Sequence, residues 1–286
     1  ACNPKSTEKS IEKEIKPFDE YGPADNLLER WAYPETYYAE DVYNQVMQQV
    51  KEDMAQKDGD DVTWRIEGPL NIGGRINCIT LNPNNEGEIL IGTSSGGVFK
   101  STDQAESWEA IGEDFANMSI GAIAYDPINP NIIYVGTGDP NISGYPKTGN
   151  GVYKSTDGGS TWTNLGIEEV GIVSEILVHP TNPNIVYLAS MGTPYFENEH
   201  RGIYKSQDGG ETWEQVLFLS TQAGISSLVF HPEYPDTLFA AGWDRIRNNQ
   251  VSIVSGEHGR IYRSFDGGTN WAEMQGGLPD GDLTRA

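Results

Sequence analysis

The sequence predicts an all-β fold, a β-propeller of four-stranded antiparallel blades with about four blades present, and three observations predict it. A turn motif ending in Trp recurs four times, with its aspartates 54, 51 and 58 residues apart. Between the recurrences the chain reads as short β-prone runs broken by Gly, Asn, Asp and Pro. The 286 residues include 33 Gly, 16 Pro, 7 Trp and 14 Tyr, a mixture that suits many tight turns better than a helical bundle. A four-strand unit of this length, repeated along the chain, is what a propeller arranges radially.

Each unit supplies its strands in the same order. Inner strands are expected near residues 76–81, 120–125, 173–178 and 225–230. Pro-containing turns follow at Asp126-Pro127, His179-Pro180 and His231-Pro232. Second apolar runs come at 132–136, 185–189 and 237–241. A loop then leads to a third, aromatic run: Gly97-Val98-Phe99-Lys100, Gly151-Val152-Tyr153-Lys154, Gly202-Ile203-Tyr204-Lys205 and Arg260-Ile261-Tyr262-Arg263. The turn motif and a short outer strand close the unit.

The four turn motifs begin at Ser101, Ser155, Ser206 and Ser264 and end at Trp108, Trp162, Trp213 and Trp271, with Asp103, Asp157, Asp208 and Asp266 third in each. A short carboxylate there accepts hydrogen bonds from backbone N–H groups ahead of it and fixes the turn. Paired glycines supply positive φ, and the Trp ring packs into the side of the blade. All four turns are expected on one face with their Trp side chains substantially buried. Ala105 stands where the other motifs have the second glycine, which suggests a slightly different turn. The segments are similar to the Asp boxes of sialidases, xyloglucanases and sortilin-like propellers, and the resemblance covers nearly everything after residue 60. It implies a structural role for the four aspartates.

Ahead of the repeats, residues 1–20 read as a solvated tether. Residues 21–60 form a helical segment, with apolar residues at three- and four-residue spacing over 38–54. The propeller is assigned to residues 61–286. The stretch around Trp64 resembles a worn Asp box with an outer strand, and an open arc with Trp64 near the gap is expected. The start Ala1-Cys2-Asn3 resembles the end of a bacterial lipoprotein signal, which implies lipidation of Cys2 and a membrane anchor without a span. Cys78 lies in an alternating run and reads as a small buried hydrophobe.

A formal charge of −23 repels nucleic acid, so no nucleic-acid partner is expected. No run of about 18 apolar residues occurs to cross a bilayer as a helix. His200 and His258 lie in no ligand-spaced cluster, so neither a metal nor a cofactor is expected. Long loops join the second and third strands of the last three units, at 138–147, 191–201 and 243–258, and binding residues gather on such loops. Tyr145, Tyr195, Phe196, Trp243 and Arg245 are the candidate anchors there. Arg75, in a partial match to the Arg-Ile-Pro sequence of sialidases, is a sixth.

The leading expectation is a non-catalytic, exported, surface-anchored propeller that binds a protein partner or a polysaccharide at the bacterial outer membrane or cell surface. The alternative is a xyloglucanase- or sialidase-like glycoside hydrolase, with Asp139, Glu197 and Asp244 as candidate acids and part of its site beyond residue 286. The resemblance to xyloglucanases implies an aspartate just before a Gly-Gly pair in the first blade, where this chain has Ser94-Ser95-Gly96-Gly97.

Overall fold

The computed structural model describes residues 48–49, 73–141, 147–248 and 250–275. The expectations for the tether, for Cys2, for Trp64 and for Tyr145 lie outside the described residues. Of the helix expected over 38–54, Gln48 and Gln49 are described, and they are helical.

The described chain is a β-propeller array of four antiparallel four-stranded blades. The first holds β1 (Ile76–Asn82), β2 (Asn85–Thr93), β3 (Val98–Ser101) and β4 (Glu109–Ile111). The second holds β5 (Ile120–Tyr125), β6 (Ile133–Thr137), β7 (Val152–Ser155) and β8 (Thr163–Asn164). The third holds β9 (Ile172–Val178), β10 (Val186–Gly192), β11 (Gly202–Ser206) and β12 (Glu214–Leu217). In the fourth, β13 (Ala223–Phe230), β14 (Leu238–Asp244), β17 (Ile261–Ser264) and β18 (Ala272–Glu273) pair, and a hairpin of β15 (Ile246–Arg247) and β16 (Ser252–Ile253) stands out from it.

The turns between first and second strands begin with a side-chain acceptor followed by Pro. Asp126 Oδ1 takes the amides of Ile128 and Asn129. His179 Nδ1 and His231 Nδ1 do the same for the amides two and three residues ahead of them. An imidazole nitrogen without its proton is an acceptor, which is why His replaces Asp in two of the turns.

Every inner strand carries a bulge at one equivalent residue: Asn77, Gly121, Ser174 and Ser226 each fall between two paired neighbours. A bulge leaves one residue unpaired and re-aims it. Here it reaches the next blade: Asn77 Nδ2 donates to the Ile120 carbonyl at 2.9 Å and Ser174 Oγ to the Ile225 carbonyl at 2.5 Å. In the second blade a Cβ on Gly121 would collide with the Val173 carbonyl, so that position takes glycine.

The core lies between blades. Leu90, Val98, Ile120, Ile133 and Tyr153 fill the first interface, Tyr134, Val173, Ile176 and Leu188 the second, and Tyr187, Ile225, Leu228 and Tyr262 the third. The inner strands sit in sequence, β1 beside β5, β5 beside β9 and β9 beside β13, and no comparable packing returns from β13 to β1 among the described residues. The arc is open. Its flanks show it: Ile79 (64% exposed) and Leu81 at one end and Val229 and Phe265 at the other face solvent.

The four Asp-box turns share one geometry. Asp Oδ1 accepts the amide of the residue four ahead at 2.8–2.9 Å and the hydroxyl of the serine two behind, and that hydroxyl accepts a second amide from inside the turn. The expected difference in the first turn is not found. Gln104 and Ala105 adopt φ of 63° and 72°, the left-handed conformation that Gly158 and Gly159 adopt at 73° and 93°. A Cβ on Gly159 would press on Ile111 of the preceding blade at 2.9 Å, whereas no described blade precedes the first. The same gap corrects the expectation for the tryptophans. Trp162, Trp213 and Trp271 pack against the interface with the blade before them, but no blade precedes that of Trp108 among the described residues, and Trp108 is 40% exposed.

Candidate functional site

In an antiparallel blade the first and third turns leave from one end and the second-to-third loops from the other. The Asp boxes and Pro-containing turns therefore share one face, where the amides of Gly158, Gly209 and Gly267 donate to the carbonyls of Asn131, Asn184 and Asp236. The long loops and the connections between blades share the opposite face, and the candidate residues belong to it.

One group joins the first two blades. Arg75, one residue ahead of β1, pairs through Nη2 with Asp139 Oδ2 and donates to Ser94 Oγ at 3.1 Å. Asp139 is buried, and its backbone is fixed by a hydrogen bond from its amide to the Lys147 carbonyl at 2.8 Å. Its Oδ1 accepts the Asn141 amide, and Asn141 Nδ2 reaches back to Asn77 Oδ1 at 3.0 Å. Lys147 has its pKa lowered by burial and, after that, by the Arg75 charge nearby. Arg75 keeps 42% of its side chain in solvent. This is a cationic, partly open rim over a buried carboxylate.

A second group knits the loops of the last two blades. Residues 193–200 lie between β10 and β11. Glu197 accepts Thr221 Oγ1 at 2.9 Å and Gln222 Nε2 at 2.8 Å, and these bonds, Gln222 first, hold its pKa below the ordinary carboxylate value. Asn198 donates its amide to the Thr221 carbonyl, Arg247 donates its amide to the Pro194 carbonyl at 2.6 Å, and Asn248 Nδ2 reaches the Tyr195 carbonyl. Asp244 is buried and accepts both the His258 amide, at 2.9 Å, and His258 Nδ1, at 3.0 Å.

The candidate anchors divide sharply. Phe196 is 45% exposed and Arg75 is open, but Tyr195, Trp243 and Arg245 are buried. Trp243 and Asp244 are the last residues of β14, not of an outlying loop, and Met191 and Gly192 likewise end β10. The Trp243 ring packs with Ile172 and Met191, and its Nε1 donates to the Val254 carbonyl at 2.9 Å. The expectation that Trp243 lies outside the blades is therefore corrected, because β14 runs longer than its apolar pattern, whereas Tyr195 does lie in the loop between β10 and β11 but is buried there.

Sequence reasoning missed Arg201, which is fully buried. It donates to the carbonyls of Gln222, at 2.9 Å, and Thr193, at 2.6 Å, from the position just ahead of the third strand. Gly96 and Asn150 hold the equivalent place in the first two blades, so a long cation there was a visible departure from the repeat. Ser94, Asn77 and Asn141 were missed because nothing in their local sequence separates a ligand-facing amide from a loop amide. No group of three or more His, Cys, Asp or Glu side chains arranged to hold a metal occurs among the described residues.

Comparison with known proteins agrees with the array. Residues 150–280 match the family model described as Sortilin-Vps10 (sortilin, neurotensin receptor 3). A xyloglucanase of Paenibacillus sp is 25% identical over 239 residues, 75% of this chain and 22% of the relative. A xyloglucanase of Hypocrea jecorina is 29% identical over 158 residues, 50% of this chain and 18% of the relative. The chain thus spans about a fifth of the length of these relatives. Among solved structures, an ancestral GH74 enzyme aligns with a TM-score of 0.59 at 23% identity, over 76% of this chain and 26% of its own. The GH74 xyloglucanase of Xanthomonas campestris aligns with a TM-score of 0.50 at 22% identity, over 72% and 31%. At such identities the structural likeness establishes the β-propeller fold, and a fold by itself assigns no chemistry.

Proposed function

We propose that these blades belong to a glycoside hydrolase-type propeller acting on a xyloglucan-like polysaccharide, with Asp139 as one of its working carboxylates. The observation that carries the reading is the Arg75–Asp139 pair, which draws a buried carboxylate from the second blade and an open cation from the first to one place on the loop face. The xyloglucanase names of the sequence relatives support the substrate class. Glycoside hydrolysis uses two carboxyl groups. An ion-paired carboxylate is an acceptor, which suits Asp139 to taking a proton or holding a hydroxyl, not to protonating a leaving group. The proton donor is then another carboxyl.

A second reading, a polysaccharide- or protein-binding module without catalysis, is favoured by Ser94 and Ser95 standing where the xyloglucanase resemblance implies an aspartate ahead of Gly96-Gly97. Incubation of the full protein with xyloglucan and with a linear β-glucan separates the two. The hydrolase reading expects sustained release of oligosaccharide that falls at least about 100-fold in Asp139→Asn, with polysaccharide binding retained. Binding without release by the unaltered protein leaves the binding module, and neither binding nor release removes both.

The protein is proposed to work outside the cytoplasm, held at the bacterial surface through a lipid on Cys2. The support is the Ala1-Cys2-Asn3 start and the polar stretch behind it. Mass spectrometry of the native membrane-extracted protein tests this, and an unmodified Cys2 removes the anchor.

A further inference from the structure

Two guanidiniums lie within the loops of the third and fourth blades with no carboxylate paired to either among the described residues. Arg201 is 0% exposed and Arg245 4%. The nearby acids are engaged elsewhere, Asp244 with His258 and Glu197 with Thr221 and Gln222. Arg201 uses Nη1 and Nη2 on carbonyls, while its Nε finds no acceptor, and neither does Arg245 Nη1. The two residues meet at the Gln222 carbonyl, which accepts Arg201 Nη1 and the Arg245 amide. Thr193 Oγ1 is also buried and unmatched, on the residue whose carbonyl Arg201 Nη2 holds.

Buried charges are ordinarily paired, and each buried donor left without an acceptor carries its full desolvation cost. Burial lowers the Arg201 pKa to about 10, against the opposing pull of the Asp244 and Glu197 charges, and burial also lowers that of Arg245. A guanidinium is protonated at neutral pH. Arg245 stacks at 5.5 Å over the Trp243 ring, which attracts a cation without satisfying its N–H groups. The knot therefore holds two positive charges and three unmatched hydroxyl or N–H groups. Asn198 Oδ1, the fourth unmatched atom, is an acceptor and is no ligand for an anion.

We propose that a small monovalent anion of the halide class binds between these loops, accepting from Arg201 Nε, Arg245 Nη1 and the Thr193 hydroxyl. It acts as the counter-ion that holds residues 193–200 against 245–248. This does not depend on what the loop face binds or whether it hydrolyses anything.

The test is thermal unfolding of the full protein with chloride exchanged for gluconate at constant ionic strength, together with a bromide soak of its crystals read by anomalous scattering. The expected result is a saturable rise in Tm of about 2–5 °C with chloride, reproduced by bromide and absent in Arg245→Met. A bromide peak within hydrogen-bond reach of Arg201 Nε is expected in the unaltered protein. That measurement stands if the variant fails to fold. A Tm indifferent to the exchange, or a map with no such peak, overturns the proposal.

Discussion

Lys154 Nζ, on the third strand of the second blade, donates at 2.8 Å to the carbonyl of Gly209, inside the Asp-box turn of the third. Tyr134 OH, from the same blade, gives that carbonyl a second bond at 3.0 Å. The pattern repeats one blade on, where Lys205 and Tyr187 both reach the Gly267 carbonyl, and Lys100 reaches that of Gly158. The Asp box thus does more than close its own hairpin. Its carboxylate and its left-handed glycines present one carbonyl to the blade before, and the lysine that recurs in the aromatic strands of the first three blades, Lys100, Lys154 and Lys205, is the donor that takes it. The lysines also lie 5.3–5.4 Å over the Tyr134 and Tyr187 rings, so a cation fits there better than a neutral donor.

Removing that donor gives the first prediction. Lys154→Met keeps the stem and loses the bond, and is expected to cost about 1–2 kcal/mol; Tyr134→Phe is expected to cost about 1 kcal/mol. The two donors share one acceptor, so the double variant strands a buried carbonyl and should cost more than the sum. Urea unfolding of the four proteins measures this, and strict additivity would contradict a shared acceptor.

The Asp boxes set the acid limit. Asp103, Asp157, Asp208 and Asp266 have their pKa values lowered to about 2, first by the side-chain bond from Ser107, Thr161, Thr212 or Asn270 and then by the backbone bond from the same residue. A depressed carboxylate contributes stability that is present above its unfolded pKa and lost as pH falls through the folded one. Stability should therefore drop between about pH 4 and pH 2 with net proton uptake on unfolding. Asp157→Asn should make that limb measurably shallower in acid titrations followed by tryptophan fluorescence.

Glu175 works in the opposite direction. It sits on β9 beside the bulge at Ser174, and burial raises its pKa to about 7. A raised carboxyl pKa means the folded state holds the proton longer, so stability falls as pH climbs from about 4.5 to about 7. Glu175→Gln is expected to stabilise the protein at pH 8 by roughly 1–3 kcal/mol and to flatten this limb. An unchanged slope between pH 5 and pH 7 would show that the carboxyl is ionised in the fold.

The propeller was legible because its signals are local. Inner strands were placed within three residues at either end by apolar runs that stop at Pro, and the boxes by Asp, Gly and Trp at fixed offsets. What reads poorly is whatever depends on a partner far along the chain. Nothing in the sequence near Tyr134 points to Gly209, and Trp108 carries the same motif as Trp213 although no described blade stands ahead of it to cover its ring. The loops were legible as long, but not as knitted together, since Glu197, Arg201 and Gln222 meet only once two blades stand side by side. His179 and His231 aligned with Asp126 in the repeat, yet their shared work as amide acceptors appears only in three dimensions.

The tryptophans turn that contrast into a measurement. Trp213→Ala removes a ring packed against the core between the second and third blades and is expected to cost about 2–4 kcal/mol, whereas Trp108→Ala should cost less than about 1 kcal/mol. Comparable losses would mean that Trp108 is covered in solution.

Trp243 and Phe196 belong to the same loop region and should behave in opposite ways. Trp243 is 1% exposed, ends β14, and carries a hydrogen bond to the Val254 carbonyl, so Trp243→Ala opens a cavity and leaves that carbonyl unmatched. A cost of about 3–5 kcal/mol is expected, and any loss of ligand binding in this variant would reflect a damaged loop scaffold. Phe196 is 45% exposed at the tip of the third blade's loop, and its backbone carbonyl, not its ring, accepts the bonds from Asn198 and Arg201. Phe196→Ala should therefore leave Tm nearly unchanged, and it can report on binding without disturbing the fold. If the loop face holds a polysaccharide, this variant is expected to weaken the complex by an order of magnitude, as loss of an aromatic contact of about 1–2 kcal/mol would. Isothermal titration of the unaltered protein and Phe196→Ala with xyloglucan oligosaccharides makes the comparison. Equal affinities would move the binding surface away from the third blade, toward the Arg75 and Asp139 rim.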